Sequence, residues 1–264
     1  MSRRPPQRLA ARAVCLLALL FGCLLTAQTA TAQSADTLLA DGHAVLDRGV
    51  TRGDAAALQR ARSLFERATG AEGHAALAHY YVALSSYRLI DLVQDEDRSD
   101  AYMDDAQKHL ERALEVRPGW AEAEALLASV YGRKAGGGMF SGMRYGPKAS
   151  SAMERAIESA PNNPRVLLTE AISLYNKPGM FGGDKEKAVA RLNEAIARFE
   201  AAPPADPLQP GWGHAEAYAW LGIAHARADR RAEARAAFEM ALEVRPGYAW
   251  VQQVLMPEML ASTD

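Results

Sequence analysis

Six histidines are the first residues to weigh as acid–base groups or metal ligands: His43, His74, His79, His109, His214 and His225. No two stand four residues apart and no His-Glu-x-x-His occurs, so the chain lacks the spacing of a helical zinc site. The glycines at 136–138 and 142 invite a phosphate-cradling loop. That run ends Pro147-Lys148-Ala149, not Gly-Lys-Ser/Thr, and no strand pattern precedes it. Asp95-Glu96-Asp97 lacks the alternating oxygen ligands and central glycine of a calcium loop, and reads as a solvated acidic loop. Both cysteines, Cys15 and Cys23, lie near the start, leaving no thiol nucleophile beyond them. No nucleophile–base pair, metal set or cofactor motif is legible, so the chain is read as non-enzymatic, with no cofactor and no metal.

Two segments carry recognition chemistry instead. Gly-Met-Phe-x-Gly occurs at 138–142 and again at 179–183. Glycine lets a backbone turn sharply or approach closely, and Met and Phe are adaptable apolar contacts. Met139, Phe140, Met143, Tyr145, Met180 and Phe181 are therefore candidate contacts for a partner, or a lid over a small apolar ligand. The competing reading, and the favoured one for Met139, Phe140, Met180 and Phe181, is that they tuck back over helix ends and pack the rim.

Composition bounds the partners. Half of the chain is hydrophobic (49%) and 23% is charged, as in an ordinary soluble protein. Its first segment differs. Arg3, Arg4, Arg8 and Arg12 precede an apolar run at 13–25, and Ala30-Thr31-Ala32 follows. A basic start, a short apolar middle and a small-x-small end predict a secretory signal peptide over 1–32 and a periplasmic or secreted product. Leu20-Phe21-Gly22-Cys23 also resembles a bacterial lipoprotein box, which would leave Cys23 acylated and membrane-anchored; bulky Phe21 and the continuing Leu24-Leu25 favour the signal peptide. Setting those four arginines aside, 26 basic residues remain of 30, against 32 acidic, a formal charge of about −6. No basic patch stands out, which argues against nucleic acid.

The elements that must position these segments are set by an internal repeat. Ala, a large apolar residue four later and Ala three after that recur as Ala61/Phe65/Ala68, Ala106/Leu110/Ala113, Ala149/Met153/Ala156, Ala188/Leu192/Ala195 and Ala234/Phe238/Ala241. Offsets of four and three place each triplet on one helical stripe. Pro118, Pro161 and Pro246 each follow the last alanine by five residues, where the helix must stop. The pattern predicts helix pairs near 35–46/55–69, 74–92/100–116, 121–134/148–159, 165–176/185–199 and 215–248. Three insertions, at 91–100, 135–147 and 178–184, join first helix to second and so should share one edge. The proline-rich connection 201–213, with Trp212, joins units and should lie on the other. The stretch 249–260 is expected to begin a short capping helix before Pro257.

The last unit, with Tyr218, Leu221, Gly222, Ala234, Phe238, Ala241 and Pro246 at their offsets, resembles the tetratricopeptide repeat family. The resemblance covers roughly 34–250 and implies an all-α, right-handed solenoid of about five helix-turn-helix units in one domain, 33–264. It places His225 at a packing position. The run Tyr175-x-x-Pro178-Gly179-Met180-Phe181-Gly182-Gly183-Asp184 is similar to stretches of exported repeat proteins associated with tripartite substrate-binding transporters.

The resemblance also implies which first-helix residues line a concave groove. They include Tyr80, Tyr87, Arg88, Arg133, Arg165, Tyr175, Asn176 and Arg227, with Arg88, Arg133, Asn176 and Arg227 in one register. A guanidinium ladder beside tyrosines suits a peptide carboxylate or acidic segment. Arginine near a helix C-terminus is also favoured by the dipole alone and can stay solvated, which is the favoured reading. The expected function is a scaffold that binds a protein or peptide through groove and loops. The alternative is a small-ligand binder or transporter accessory, its pocket roofed by the Gly-Met-Phe loops.

Overall fold

The structure is a computed structural model that describes residues 33–201 and 206–261; the expected signal peptide and Cys23 lie outside them. Among the described residues there is no strand. Five antiparallel pairs follow in order: α1 (Ala35–Arg52) with α2 (Ala55–Ala68), α3 (Ala75–Leu89) with α4 (Glu96–Val116), α5 (Ala121–Ala135) with α6 (Met139–Ser159), α7 (Pro164–Asn176) with α8 (Lys185–Ala201), and α9 (His214–Arg227) with α10 (Arg231–Val244). A wide turn at Trp250–Leu255 and α11 (Met256–Ala261) close the series, laying Val251, Leu255 and Met259 into the last unit's core. Pro257 follows directly on that wide turn, where Met256 N donates to the Val251 carbonyl, and the helix runs through it.

Every member of the five triplets is buried. Each large residue fills the space that small neighbours leave. A Cβ on Gly222 of α9 would lie 2.4 Å from Phe238 of α10, and one on Gly42 of α1 would lie 2.5 Å from Phe65 of α2. Glycine is thus required there for ring-to-backbone contact and not for an unusual dihedral.

Polar residues punctuate the helices. Asp54, Asp95 and Asn163 cap α2, α4 and α7, accepting from Ala57 N, Arg98 N and Arg165 N at 3.0, 2.8 and 2.9 Å. The Asp95-Glu96-Asp97 run is therefore a cap and an acidic first turn, matched to the helix dipole, and not the free loop expected. The insertion at 135–147 also differs from expectation. Only Gly136–Gly138 break the chain; Gly138 turns at φ +124 and Met139 already starts α6. Pro147 sits inside that helix. Its missing N–H frees the Met143 carbonyl, and Met143 is exposed, so water can satisfy it.

The two ends of the solenoid meet. Arg245, just after α10, donates to Asp47 Oδ1 at 2.7 Å and to Thr51 Oγ1 at 2.9 Å at the end of α1.

Candidate functional site

The segment 206–213 does not run along the outer edge between units. It passes into the interior of the solenoid, and Leu208 and Trp212 pack against the core of the first three units. Trp212 Nε1 donates to Tyr80 Oη at 2.7 Å, and Tyr81 Oη donates to the Leu208 carbonyl at 3.0 Å. The physical reason is length and composition. Pro207 and Pro210 cannot continue a helix, and Leu208 and Trp212 have apolar surface to hide.

This filling corrects most of the expected groove. Tyr80 is fully buried, its ring 4.7 Å from Trp120, and cannot face a partner. Arg165 is buried too, its guanidinium 5.7 Å from the Phe199 ring. Arg88 lies 5.1 Å over Trp212 and pairs with Glu216 at 2.5 Å, joining unit two to unit five. Glu216 is 3% exposed and Arg88 20%. Arg133 pairs with Asp91 and lies over half-buried Tyr87. Asn176 turns its amide back to the Ile172 carbonyl at 2.9 Å. Arg88 and Arg133 thus hold turns of the solenoid together, through Glu216 and Asp91, and do not stand as a ladder facing a partner. Arg227 is the member that remains exposed.

The loop edge differs in the opposite sense. Met139, Phe140 and Met143 are 80, 87 and 73% exposed, and Met180 and Phe181 are 85 and 69% exposed. They do not tuck back over helix ends. Met139, Phe140 and Met143 share one stripe at the start of α6. Met180 and Phe181 ride on a 3₁₀ turn, Gly179–Phe181, that the backbone fixes. Phe181 N donates to the Pro178 carbonyl at 2.9 Å, and Asp184 N to the Leu174 carbonyl at 3.0 Å. Gly182 turns at φ +86, and a Cβ on Gly183 would fall 1.8 Å from the Lys177 carbonyl. Asp184 then caps α8, accepting from Lys187 N at 2.9 Å. Both segments lie at the first-to-second-helix turns of consecutive units, so they share an edge. Tyr145 departs from this set: it is half-buried, stacked at 6.0 Å on Tyr131, with Lys148 5.7 Å from its ring.

Beside the second turn opens a cleft of about 540 Å³ between α7, α8 and α9. Tyr175, Val189 and Ala224 line it with Lys185, Arg227 and Arg230, and Glu186 is the one acidic residue of its lining. Lys185 Nζ and Arg227 Cζ each lie 5.8 Å from the Tyr175 ring.

The histidines serve packing. His43 stands edge-on to Tyr81 at 4.1 Å, and half-buried His225 is held below its ordinary pKa by burial. His79 and His109 meet Nδ1 to Nδ1 at 2.8 Å. Burial pushes His109 down to about 4, against the opposing pull of Asp105. Asp105 itself bridges Arg62 and Ser86 at 2.9 and 2.6 Å, which holds it below the carboxylate range against its own burial. Among the described residues no three His, Cys, Asp or Glu side chains are grouped to hold a metal, and no helix is long and apolar enough to cross a membrane. Sequence reasoning placed Glu216 along the groove but missed its pairing with Arg88, and it missed Leu208 and this Asp105–His109 cluster. The one available signal was Trp212, a large ring isolated in a proline-rich connection.

No protein-family model and no curated protein matches the chain. Among solved structures it is similar to TTC0263, a thermophilic TPR protein of Thermus thermophilus, with a TM-score of 0.61 at 20% identity over 86% of this chain and all of that one. It is similar also to the HusA haemophore of Porphyromonas gingivalis, with a TM-score of 0.61 at 24% identity over 75% of this chain and 96% of the other. Repeated triplets, glycine-to-phenylalanine interlocks and the likeness to TTC0263 agree: the chain has the tetratricopeptide-repeat fold.

Proposed function

We propose that this chain is an exported, non-enzymatic scaffold that takes a protein partner on its loop edge. One observation carries the reading. Five large apolar side chains stand in solvent in neighbouring units, three at the start of α6 and two on the backbone-fixed turn Gly179–Phe181. Single exposed apolar residues are ordinary, but such a group on one edge marks an interaction site. Burying one such side chain is worth roughly 1.5–3 kcal/mol, so the group can supply much of a specific affinity. The filled groove argues for the edge over the concave face. Export rests on the leader-like residues 1–32.

A photo-reactive phenylalanine analogue at position 140 or 181 tests the edge in the native host. The same protein should be captured from both positions and not from position 115, on exposed Glu115 of α4. No adduct at 140 and 181, or the same adducts at 115, would refute the reading. Amino-terminal sequencing of the accumulated protein should begin near Gln33; an uncleaved chain would refute export. A second reading, a small ligand, draws on the cleft of about 540 Å³ lined by Tyr175, Val189 and Ala224. A molecule retained in native mass spectrometry would favour it.

A further inference from the structure

We propose that the cleft between α7, α8 and α9 seats the carboxylates of an acidic partner segment whose apolar residues lie on Met180 and Phe181. The apolar half of this contact rests on the edge-docking reading above; the charged half rests on the cleft itself.

Several cations elsewhere in the solenoid are met by carboxylates. Arg62 pairs with Asp105, Arg155 with Glu124, Arg191 with Glu170 and Arg245 with Asp47. Among the described residues, Lys185, Arg227 and Arg230 have no such ion pair, yet all three line one concavity. Asp229, their neighbour in sequence, faces Arg231 at 3.2 Å instead. Glu186 alone opposes them from the cleft wall. Three like charges held around a common space repel one another unless an anion enters, and a cleft focuses that field.

The cleft's floor suits the same occupant. Tyr175 is only 6% exposed, and its ring lies beneath Lys185 and Arg227, which keeps both cations over an aromatic surface. Val189 and Ala224 complete an apolar base. The volume accommodates a few side-chain groups and is too small for a folded element. Gly179–Phe181 lies between the lining residues Tyr175 and Lys185 along the chain, so the turn that carries the apolar tips joins two walls of the cleft. A segment alternating acidic and apolar residues satisfies both features at once. The seat takes Tyr175 and Arg227 from the expected groove and adds Lys185, at the start of α8, and Arg230, just before α10, which that groove did not include.

Fluorescence anisotropy on the full chain tests this with two labelled peptides. One alternates glutamate pairs with leucine and phenylalanine; the other replaces each glutamate by glutamine. The acidic peptide should bind about tenfold more tightly at low salt and lose that advantage as salt is added. Lys185→Glu with Arg227→Glu should bring it to the glutamine peptide's level. Met180→Ser with Phe181→Ser should weaken both peptides by a similar factor. These residues are exposed, so unchanged thermal melts will show that the variants fold.

Equal binding of the two peptides, no binding of either, or indifference to the charge reversals overturns the proposal. If selectivity for glutamate survives but the Met180/Phe181 variant binds both peptides normally, the edge-docking reading fails and the cleft stands. Inorganic pyrophosphate is the third probe. If it displaces the acidic peptide completely while the Met180/Phe181 variant behaves as the parent, the cleft is a small-anion site, and the partner-segment proposal is overturned.

Discussion

Arg88 and Glu216 stand 128 residues apart and join the second unit to the fifth, so their removal should report on closure of the solenoid. Glu216 is 3% exposed, Arg88 is 20% exposed, and Arg88 lies over Trp212. Arg88→Met strands a buried carboxylate. Breaking a buried pair from one side costs about 3–5 kcal/mol; the partial exposure of Arg88 puts the expectation near the lower end, about 3–4 kcal/mol including the lost ring contact. Replacing both partners, Arg88→Met with Glu216→Leu, leaves no stranded charge and fills the same space with apolar atoms. Glu216 Oε2 and Arg88 Nε already lack hydrogen-bond partners among the described residues, so the pair has little further to lose. The double variant should cost only about 1 kcal/mol or nothing, and so be more stable than Arg88→Met by about 2–4 kcal/mol. Urea denaturation followed by circular dichroism measures all three. If Arg88→Met costs less than about 1 kcal/mol, or if the double variant equals the sum of the singles, the pair does not hold the ends together. A loss of partner binding without loss of stability would return Arg88 to the recognition role expected from its register.

Three further outcomes follow from packing and charge. Gly222→Ala should destabilise by about 1–3 kcal/mol despite alanine's better helix propensity, because its Cβ meets Phe238 at 2.4 Å, and adding Phe238→Leu should recover part of the loss; a neutral or stabilising Gly222→Ala in a thermal melt would disprove the interlock. Burial lowers the His109 pKa from 6.5 to about 4, so the unfolded chain takes up this proton first; the stability is full above about pH 6.5 and is lost as pH falls towards 4, by at most about 3 kcal/mol. His109→Gln should flatten that part of the pH–stability profile, and an unchanged slope would remove the assignment. Trp212→Ala should cost about 3 kcal/mol and release amide protection in 206–213 before that of α3; retained protection there would show that the ring does not anchor the segment.

The triplets were legible because they obey a local rule. Ala61/Phe65/Ala68 and its four copies need only helical periodicity to share a face, and each one is buried where that periodicity puts it. The second Gly-Met-Phe segment was legible as a turn, since Gly182 and Gly183 do what only glycine allows. The exposure of both segments was not legible, because Met and Phe are as common in a rim that packs inward as in one that projects. Helix at 139–146 was hidden by Pro147, whose cost depends on whether the freed carbonyl meets water.

The groove shows where local rules end. Arg88, Arg133 and Arg227 share a register along the repeats, and the sequence by itself determined that register, the five pairs and the common edge of the inserted turns. Only the tertiary structure decided that Glu216 and Trp212 would reach Arg88, that Tyr80 would disappear beneath 206–213, and that Arg227 would be left free beside Lys185. Those outcomes depend on how far each helix pair rotates against the next. That rotation accumulates over the repeats until unit five meets unit one. No single residue encodes it; it arises from the summed side-chain volumes at every interface between units.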